Sequence, residues 1–268
     1  MNSKLSKLAI KYNCDKYGSH FYTEIYDKYM KVKKNKNIVL FEIGIGGLEP
    51  KVGYSGLRTG GESLKMWRDY FKKGKIIGID IIKKKLKLGR NVETFHGSQN
   101  DPEALSKVVK KYKKFDFIID DGSHKFKDVK FSFEYLFPSL KHGGYYFIED
   151  TQSSYIRELG GDGAYLKYHK TVINYFKMII DKINYQEIEN PYYIADYICQ
   201  NVTEIHFYHN LIVIKKEKNL EKSNILINNE RIVGGKNLVS LRKSVKKIKY
   251  FLLHIKSKIN YFINSFSI

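Results

Sequence analysis

The sequence predicts an α/β fold built on a seven-stranded, mostly parallel sheet. Between residues 37 and 150, strand-like and helix-like segments alternate, which is typical of parallel strands joined by right-handed helical crossovers. The strand-like segments are continuously apolar, as expected when both faces of a sheet are covered. Two further strand-like runs meet at His209–Asn210 and predict an antiparallel hairpin that completes the sheet.

The elements follow one another at regular intervals along the chain. The predicted strands are residues 37–44, 75–81, 91–97, 115–121 and 145–150, and the hairpin occupies residues 203–217. The predicted helices are residues 63–73, 102–112 and 127–140, where apolar side chains recur at helical spacing. Asp101 before Pro102 is a typical N-cap, and Gly143–Gly144 is expected to end the third helix. A tyrosine-rich insertion at 151–200 is expected to contain a helix near 164–182.

Three parts are expected along the chain. They are an N-terminal helical flap (1–35), the sheet domain (36–217) and a basic linker with an amphipathic C-terminal helix (218–268). The apolar stripe of that helix consists of Leu238, Leu241, Val245, Ile248, Leu252, Ile255, Ile259 and Phe262. Residues 215–268 carry 13 Lys and Arg against three Glu, which is half of the net charge of +20. A basic amphipathic helix at 237–263 favours contact with an anionic membrane or a partner, with self-packing and a coiled coil as alternatives.

The composition narrows the classes of function. A chain that is 43% hydrophobic and 15% aromatic can bury a large core. Cys14 and Cys199 are too few for a disulfide framework or a thiolate metal site, and they fit a reducing cytoplasm. No apolar run reaches the roughly 18 residues of a membrane span, and the N-terminus lacks the apolar stretch of a signal peptide. We therefore expect a cytoplasmic protein, with a peripheral contact at the inner membrane surface through its tail. Because half of the charge excess lies in the tail, nucleic-acid binding is not expected.

Carboxylates stand at the ends of two predicted strands, FDFIIDD and YYFIED. The polar residues at these ends are Asp120, Asp121, His124, Glu149 and Asp150. Buried carboxylates are costly unless a cation or ligand compensates them. A helix cap or a turn would explain any one acid alone. Three acids with a histidine at adjacent strand ends instead favour a metal site.

The glycine-rich segment FEIGIGG at 41–47 follows the first strand. Its glycines allow a tight turn and a close approach of a ligand, although a turn without a ligand is the alternative. Thirteen residues separate it from the next helix, and Glu42 would repel a pyrophosphate, so a nicotinamide dinucleotide is a poor fit. Glu42 instead suits an ammonium group, and Asp80 at the end of the second strand suits two ribose hydroxyls. An amino group with a ribose and no phosphate describes S-adenosylmethionine.

Several motifs, in this order and spacing, resemble those of one enzyme family. They are E-x-G-x-G-G (42–47), GGESLKMW (60–67), IGIDI (77–81), FHGSQND (95–101), DDGSH (120–124) and FIED (147–150). Together they resemble the metal-dependent sugar O-methyltransferases, which include the mycinamicin, macrocin and rhamnosyl enzymes. The resemblance covers about residues 10–155, and segment 11–29 is similar to the stretch that precedes the sheet in that family. It implies a Rossmann-like class I methyltransferase domain that uses S-adenosylmethionine and a divalent metal, Mg²⁺.

The resemblance also implies roles for individual residues. Cofactor contacts are implied for Glu42, Gly44, Gly46, Asp80, Ser98 and Gln99. Metal ligation is implied for Asp121, Glu149 and Asp150, and the catalytic pair is His124 as general base with Asp121. A divalent cation bound by three carboxylates would lower the pKa of an adjacent sugar hydroxyl, which suits deprotonation by a histidine. Because successive residues alternate sides at a strand end, Asp120 is expected to face the cofactor.

The acceptor, the class of function and the oligomeric state stay open. The acceptor sugar belongs to a glycan, a nucleotide sugar or a glycoside. A catechol-like diol is an alternative acceptor, since it presents similar geometry to a metal. A non-catalytic subunit docked through its basic tail is an alternative of a different class, and an RNA methyltransferase is supported by charge alone. A homo-oligomer is compatible with the sequence.

Overall fold

The computed structural model describes residues 3–47, 59–190, 192–223, 225–227, 230–231, 248–253, 255–256 and 259. The chain divides into two compact units. The first comprises Met1–Met178 and Val202–Lys218, and the second comprises Ile179–Asn201 and Asn219–Ile268. All residues singled out above as candidate site residues belong to the first unit. The predicted three-part division at residues 35 and 217 stays a prediction.

A seven-stranded sheet forms the centre of the first unit, and it confirms the predicted α/β fold. Its strands are β1 (Val39–Ile43), β2 (Lys75–Asp80), β3 (Val92–His96), β4 (Phe115–Asp120), β5 (Leu140–Glu149), β6 (Val202–Tyr208) and β7 (Leu211–Lys216). The order is β3-β2-β1-β4-β5-β7-β6. Strands β1 to β5 pair in parallel, whereas β7 runs antiparallel to both β5 and β6, as the terminal hairpin predicts. A separate two-stranded pairing joins β8 (Leu226–Ile227) and β9 (Glu230–Arg231) in the second unit.

The helices of the described residues are found in both units. They are α1 (Lys4–Tyr12), α2 (Tyr22–Met30), α3 (Glu62–Tyr70), α4 (Pro102–Tyr112), α5 (Phe126–Leu136), α6 (Val172–Ile183) and α7 (Tyr197–Asn201). The predicted cap of α4 is confirmed, because the Asp101 side chain accepts a hydrogen bond from the Glu103 amide with Pro102 at the first helical position.

Two helix boundaries were predicted wrongly. Helix α5 ends at Leu136 rather than at residue 140, a short 3₁₀ turn (Phe137–Ser139) follows, and β5 already begins at Leu140. The cause is Pro138, which has no amide hydrogen and disfavours helical geometry in the residue before it. Gly143–Gly144 therefore lies inside a strand. Helix α6 begins at Val172 rather than near 164, after Thr171, whose hydroxyl accepts from the Asn174 amide.

The N-terminal helices belong to the core that covers one face of the sheet. Leu5 and Ala9 of α1 and Tyr26 of α2 are buried in the same cluster as Trp67 and Phe147. The Tyr26 ring lies 5.0 Å from that of Trp67 and 4.7 Å from that of Phe147. This packing places the segment between α1 and α2 at the carboxyl edge of the parallel strands.

The C-terminal stripe is described only in part. Residues 248–253, 255–256 and 259 are helical, whereas Leu238, Leu241, Val245 and Phe262 lie outside the described residues. The apolar side chains of Ile248, Phe251, Leu252, Ile255 and Ile259 are exposed. Within the described part of the chain, no helix is both long and apolar enough to cross a membrane.

Candidate active site

Three adjacent strands bring the predicted acids to one edge of the sheet. Glu42 lies near the end of β1, Asp121 follows β4, and Glu149 and Asp150 stand at the end of β5. Because β4 pairs with both β1 and β5 in parallel, the carboxyl ends of all three strands meet. The acids are thus neighbours in space although more than 100 positions separate the first from the last.

The outer acid group consists of Asp121, His124 and Asp150, whose ligand atoms all lie within 4.8 Å of one another. His124 Nε2 is 3.5 Å from Asp150 Oδ2 and 4.0 Å from Asp121 Oδ1. The three side chains are 20% to 24% exposed, so solvent and a ligand can reach them. His124 and Asp150 both have positive φ angles, 57° and 53°, which are uncommon outside glycine and tend to cluster at functional sites.

Two side chains of the N-terminal segment lie close to the Asp150 carboxylate. The Tyr22 hydroxyl donates to Asp150 Oδ1 at 2.7 Å, and His20 Nδ1 lies 3.8 Å from the same oxygen. Burial alone would raise the pKa of Asp150, but His124 and the Tyr22 hydroxyl lower that pKa overall. The carboxylate therefore stays ionised and able to bind a cation.

The inner acid group consists of Glu42, Asp121 and Glu149, and its centre is a lysine. Lys16 Nζ lies 2.6 Å from Asp121 Oδ2, 2.7 Å from Glu149 Oε1 and 3.4 Å from Glu42 Oε1. Lys16 is only 1% exposed, Glu42 0% and Glu149 3%. The Tyr26 hydroxyl also donates to Glu149 Oε1. The protein thus supplies its own cation to the buried half of the acidic cluster.

The pKa values in the inner group reflect burial and mutual charge. Burial lowers the pKa of Lys16, but Asp121, Glu149 and Glu42 more than offset this and raise it well above its usual value. Burial raises the pKa of Glu42, and burial together with the Asp121 charge raises that of Glu149. The charged ammonium is what compensates these enclosed carboxylates.

The predicted metal ligands are divided between the two groups. Asp121 belongs to both, with Oδ2 toward Lys16 and Oδ1 toward His124, whereas Glu149 belongs to the inner group and Asp150 to the outer one. Neither group found among the described residues contains both Glu149 and Asp150. The donors are carboxylate oxygens, which are the ligands that Mg²⁺ and Mn²⁺ prefer, so the residues fit such an ion.

The glycine segment is shaped by contacts within the protein. Glu42 Oε2 accepts from the Ser63 hydroxyl at 2.8 Å, and Oε1 accepts from Trp67 Nε1 at 3.1 Å. Gly44 has a φ of +84°, and a Cβ there would stand 1.9 Å from the Asp121 carbonyl oxygen. Gly46 also has a positive φ, of 69°. Only glycine at position 44 lets β1 continue past the loop that carries Asp121.

Asp80 joins the end of β2 to the glycine segment. Its Oδ2 accepts from the Ile45 amide at 2.9 Å, and its Oδ1 accepts from the Ile82 amide at 2.8 Å. Lys84 Nζ lies 3.8 Å from Oδ2. The carboxylate is thus fixed at the strand end where the sequence predicts a ribose contact, and that contact stays a prediction.

Gln99 and Asp120 position the loop that carries His124. Gln99 Nε2 donates to Asp120 Oδ1 at 3.1 Å, and Gln99 Oε1 accepts from the Ser123 amide at 2.5 Å. Asp120 also accepts from Ser132 and Tyr146, and burial raises the pKa of Asp120 to about 6. The Asp120 side chain is 1% exposed, and its predicted contact with the cofactor stays a prediction.

Ser98 lies beside this loop, where its hydroxyl donates to Asn100 Oδ1 at 2.8 Å. The predicted adenine contacts of Ser98 and Gln99 stay predictions.

Lys16 was not singled out from the sequence, although it lies in the segment that resembles the family. Lysine is so abundant in this chain that a single one gives no signal, and only the distance to carboxylates more than 100 positions away reveals it.

Comparison with known proteins gives close relatives of one kind. The mycinamicin VI 2''-O-methyltransferase of Micromonospora griseorubida is 36% identical over 81% of this chain and 53% of its own length. The demethylmacrocin O-methyltransferase of Streptomyces fradiae is 37% identical over 81% and 54%. The L-olivosyl-oleandolide 3-O-methyltransferase of Streptomyces antibioticus is 37% identical over 76% and 52%. The chain is therefore similar to sugar O-methyltransferases over 76% to 81% of its own length.

A solved methyltransferase structure shares the fold. It is a methyltransferase from the mycinamycin biosynthetic pathway in complex with Mg, SAH and mycinamycin VI, with 32% sequence identity and a TM-score of 0.75. The match covers 91% of this chain and 60% of that one. No family model matches the chain. The chain spans about half the length of the curated relatives it matches.

Proposed function

We propose that the chain is an S-adenosylmethionine-dependent O-methyltransferase that acts on a sugar hydroxyl of a glycan, nucleotide sugar or glycoside. The observation that carries this proposal is the accessible outer acid group, which stands beside a glycine segment at the carboxyl edge of a parallel sheet. Ligands bind at this edge in open α/β sheets. The relatives named above act on sugars, and the solved one binds Mg and SAH.

The cofactor is proposed to lie along the ends of β1 and β2. Gly44 and Gly46 place backbone without side chains at this edge, and Asp80 stands at the end of the next strand. The proposed contacts are Glu42, Gly44 and Gly46 to the methionine part, Asp80 to the ribose, and Ser98 and Gln99 to the adenine. Asp120 is proposed as a further residue on the cofactor side. Bound there, S-adenosylmethionine supplies the methyl group.

The proposed metal ligands are Asp121, Glu149 and Asp150. Asp121 and Asp150 present partly exposed oxygens, and Glu149 has one oxygen, Oε1, engaged by Lys16 and Tyr26. A bound Mg²⁺ would lower the pKa of a neighbouring sugar hydroxyl. The carboxylates themselves give the acceptor side of the site a fixed negative charge. An incoming diol is oriented by that charge.

His124 is proposed as the general base. Its Nε2 faces both carboxylates of the outer acid group, so it is the nitrogen placed to take a hydroxyl proton. As that proton arrives, the ring becomes positively charged, and Asp121 and Asp150 stabilise the charge. The oxygen that loses the proton is the atom that gains the methyl group.

The experiment that tests this function is methyl transfer to a glycoside, followed by mass spectrometry with Mg²⁺ and after exhaustive chelation. We expect a mass gain of one methylene on the sugar that depends on the metal. Equal turnover after chelation would remove the metal role, and preferred methylation of a catechol would replace the sugar by the alternative diol. Calorimetry with S-adenosylhomocysteine is the companion measurement, because an absence of binding would favour the non-catalytic subunit.

We also propose that residues 237–263 contact an anionic membrane from the cytoplasmic side. The segment is rich in lysine, and its described apolar side chains, such as Phe251 and Leu252, are exposed. Flotation of the full chain and of residues 1–235 with anionic vesicles tests this, and the full chain alone is expected to float. Equal flotation, or none by either, would end the membrane proposal. Light scattering on the same proteins tests whether the apolar stripe instead forms a homo-oligomer.

A further inference from the structure

We propose that the Lys16 ammonium is the permanent cation of the inner acid group and sets the affinity of the outer acid group for a divalent ion. Lys16 would thus be a positioning residue for the metal, acting through Asp121 and Glu149. This inference rests on the metal role proposed above. It goes further because it assigns control of the metal affinity to a residue of the N-terminal segment.

The position of the ammonium supports a dedicated role. Lysine is rarely fully buried, yet this one is 1% exposed and lies within 3.4 Å of all three inner carboxylates. Its backbone is fixed as well, because the amides of Tyr22 and Thr23 donate to the Lys16 carbonyl oxygen at 3.1 and 3.3 Å. These donors open helix α2, which also carries Tyr26 to Glu149.

The same carboxylates connect the ammonium to the outer group. Asp121 gives Oδ2 to Lys16 and turns Oδ1 toward His124, so a divalent ion on Oδ1 would share one carboxylate with the ammonium. Glu149 gives Oε1 to Lys16 and Tyr26, so a divalent ion that binds Glu149 would have the other oxygen available to it. Two cations on one carboxylate repel each other, and the effect is large in a partly buried site.

Removing the charge of Lys16 is therefore expected to tighten metal binding. In Lys16→Met or Lys16→Gln, Asp121 and Glu149 would offer their full charge to the ion, and we expect Mn²⁺ to bind about tenfold tighter or more. The metal-free protein would unfold at a lower temperature, because three enclosed carboxylates lose their cation. Lys16→Arg retains the charge and is expected to keep an affinity close to that of the wild type.

The experiment is a Mn²⁺ titration by electron paramagnetic resonance on the full chain and these variants, with thermal unfolding of each. Lys216→Met is the matched control, since Lys216 is also 1% exposed but contacts backbone carbonyls. Its Mn²⁺ affinity should equal that of the wild type. Unchanged or weaker Mn²⁺ binding by a folded Lys16→Met or Lys16→Gln protein would overturn the inference while leaving the metal site intact. No Mn²⁺ binding by any of the proteins would overturn the inference and the proposed metal role together.

A measurement on the wild type covers the case in which neither neutral variant folds. In protein labelled with ¹⁵N-lysine, the Nζ signal of Lys16 should shift on addition of Mg²⁺, whereas that of Lys216 should not. A Lys16 signal that is unchanged at saturating Mg²⁺ would overturn the inference.

Discussion

Two lysines are buried equally deeply at opposite edges of the sheet, and their surroundings differ in kind. Lys16 and Lys216 each expose 1% of their surface. At the carboxyl edge, Lys16 Nζ meets the three carboxylates of the inner acid group. At the amino edge, Lys216 Nζ donates to the carbonyl oxygens of Phe137, Pro138 and Leu140 at 3.2, 3.0 and 2.8 Å.

Because their partners differ, the pKa values of the two lysines shift in opposite directions. Burial lowers the pKa of Lys216 to about 8, with a further lowering from Lys114, because carbonyl dipoles do not compensate a full charge. Burial also lowers the pKa of Lys16, but its three carboxylates raise it well above the usual value. Lys216 therefore completes hydrogen bonds where a helix and a strand meet, whereas Lys16 belongs to a set of oxygens that a divalent ion also prefers.

The largest expected effect is the loss of stability on removing the inner cation. Lys16→Met would leave Glu42 and Glu149 enclosed without a counter-charge, and it should lower the free energy of unfolding of the metal-free protein by about 3–5 kcal/mol. Urea unfolding followed by circular dichroism measures this. A loss no greater than that of Lys216→Met would mean that the carboxylates do not depend on the ammonium.

The next effect is a contrast in activity between two aspartates at opposite ends of strand β4. Asp121→Asn removes a charge from the outer acid group and should lower methyl transfer at least about hundredfold, since metal-ion stabilisation is worth several kcal/mol. Asp116→Asn is the control at the start of β4, where Asp116 is 7% exposed and pairs with Lys33 and Lys141. Its turnover per folded molecule should match the wild type. Equal losses in both variants would show that the strand, and not the site, was affected.

A smaller effect is expected from the hydroxyl that shares Glu149 with Lys16. Tyr26→Phe removes a buried hydrogen bond to a charged acceptor and should cost about 1.5–3 kcal/mol in the free energy of unfolding. Tyr29→Phe is the comparison on the same helix, because the Tyr29 hydroxyl pairs with the neutral Tyr208 hydroxyl at 2.6 Å. Chemical denaturation of both variants gives the difference. A larger loss in Tyr29→Phe would reverse the expected order.

The smallest effect is a pH dependence at the amino edge. The folded pKa of Lys216 is lowered to about 8, so above that pH the unfolded chain binds the proton that the folded chain has released. The wild type should then gain stability relative to Lys216→Met as the pH rises from about 8 to about 10, on the order of 1 kcal/mol. Thermal melts of both proteins across this range test it, and a difference that is flat or falls with pH would contradict it.

The strands and acids of the carboxyl edge were largely predictable from the sequence, but the contacts between their side chains were not. Apolar runs that stop in carboxylates predicted β4 and β5 and the acids after them, because strand ends are local features. Asp101 and Pro102 likewise predicted the start of α4. The end of α5 was missed because Pro138 outweighs the glycines that follow it.

Long-range contacts account for what the sequence did not show. Lys16 reaches Asp121 and Glu149 across 105 and 133 positions, and no local pattern marks such a pairing. Asp120 was expected to face the cofactor from strand alternation alone. That contact stays a prediction, and the sequence did not show the hydrogen bonds of Asp120 with Gln99, Ser132 and Tyr146, which come from three other segments.

The most direct test of the division between inner and outer acid groups is a crystal structure with S-adenosylhomocysteine and Mn²⁺, using anomalous scattering to locate the ion. The predicted result is one peak in contact with Asp121, Glu149 and Asp150, with the Lys16 ammonium still beside Glu42 and Glu149. A peak at the centre of the inner acid group with Lys16 displaced, or no peak at this edge of the sheet, would contradict the account.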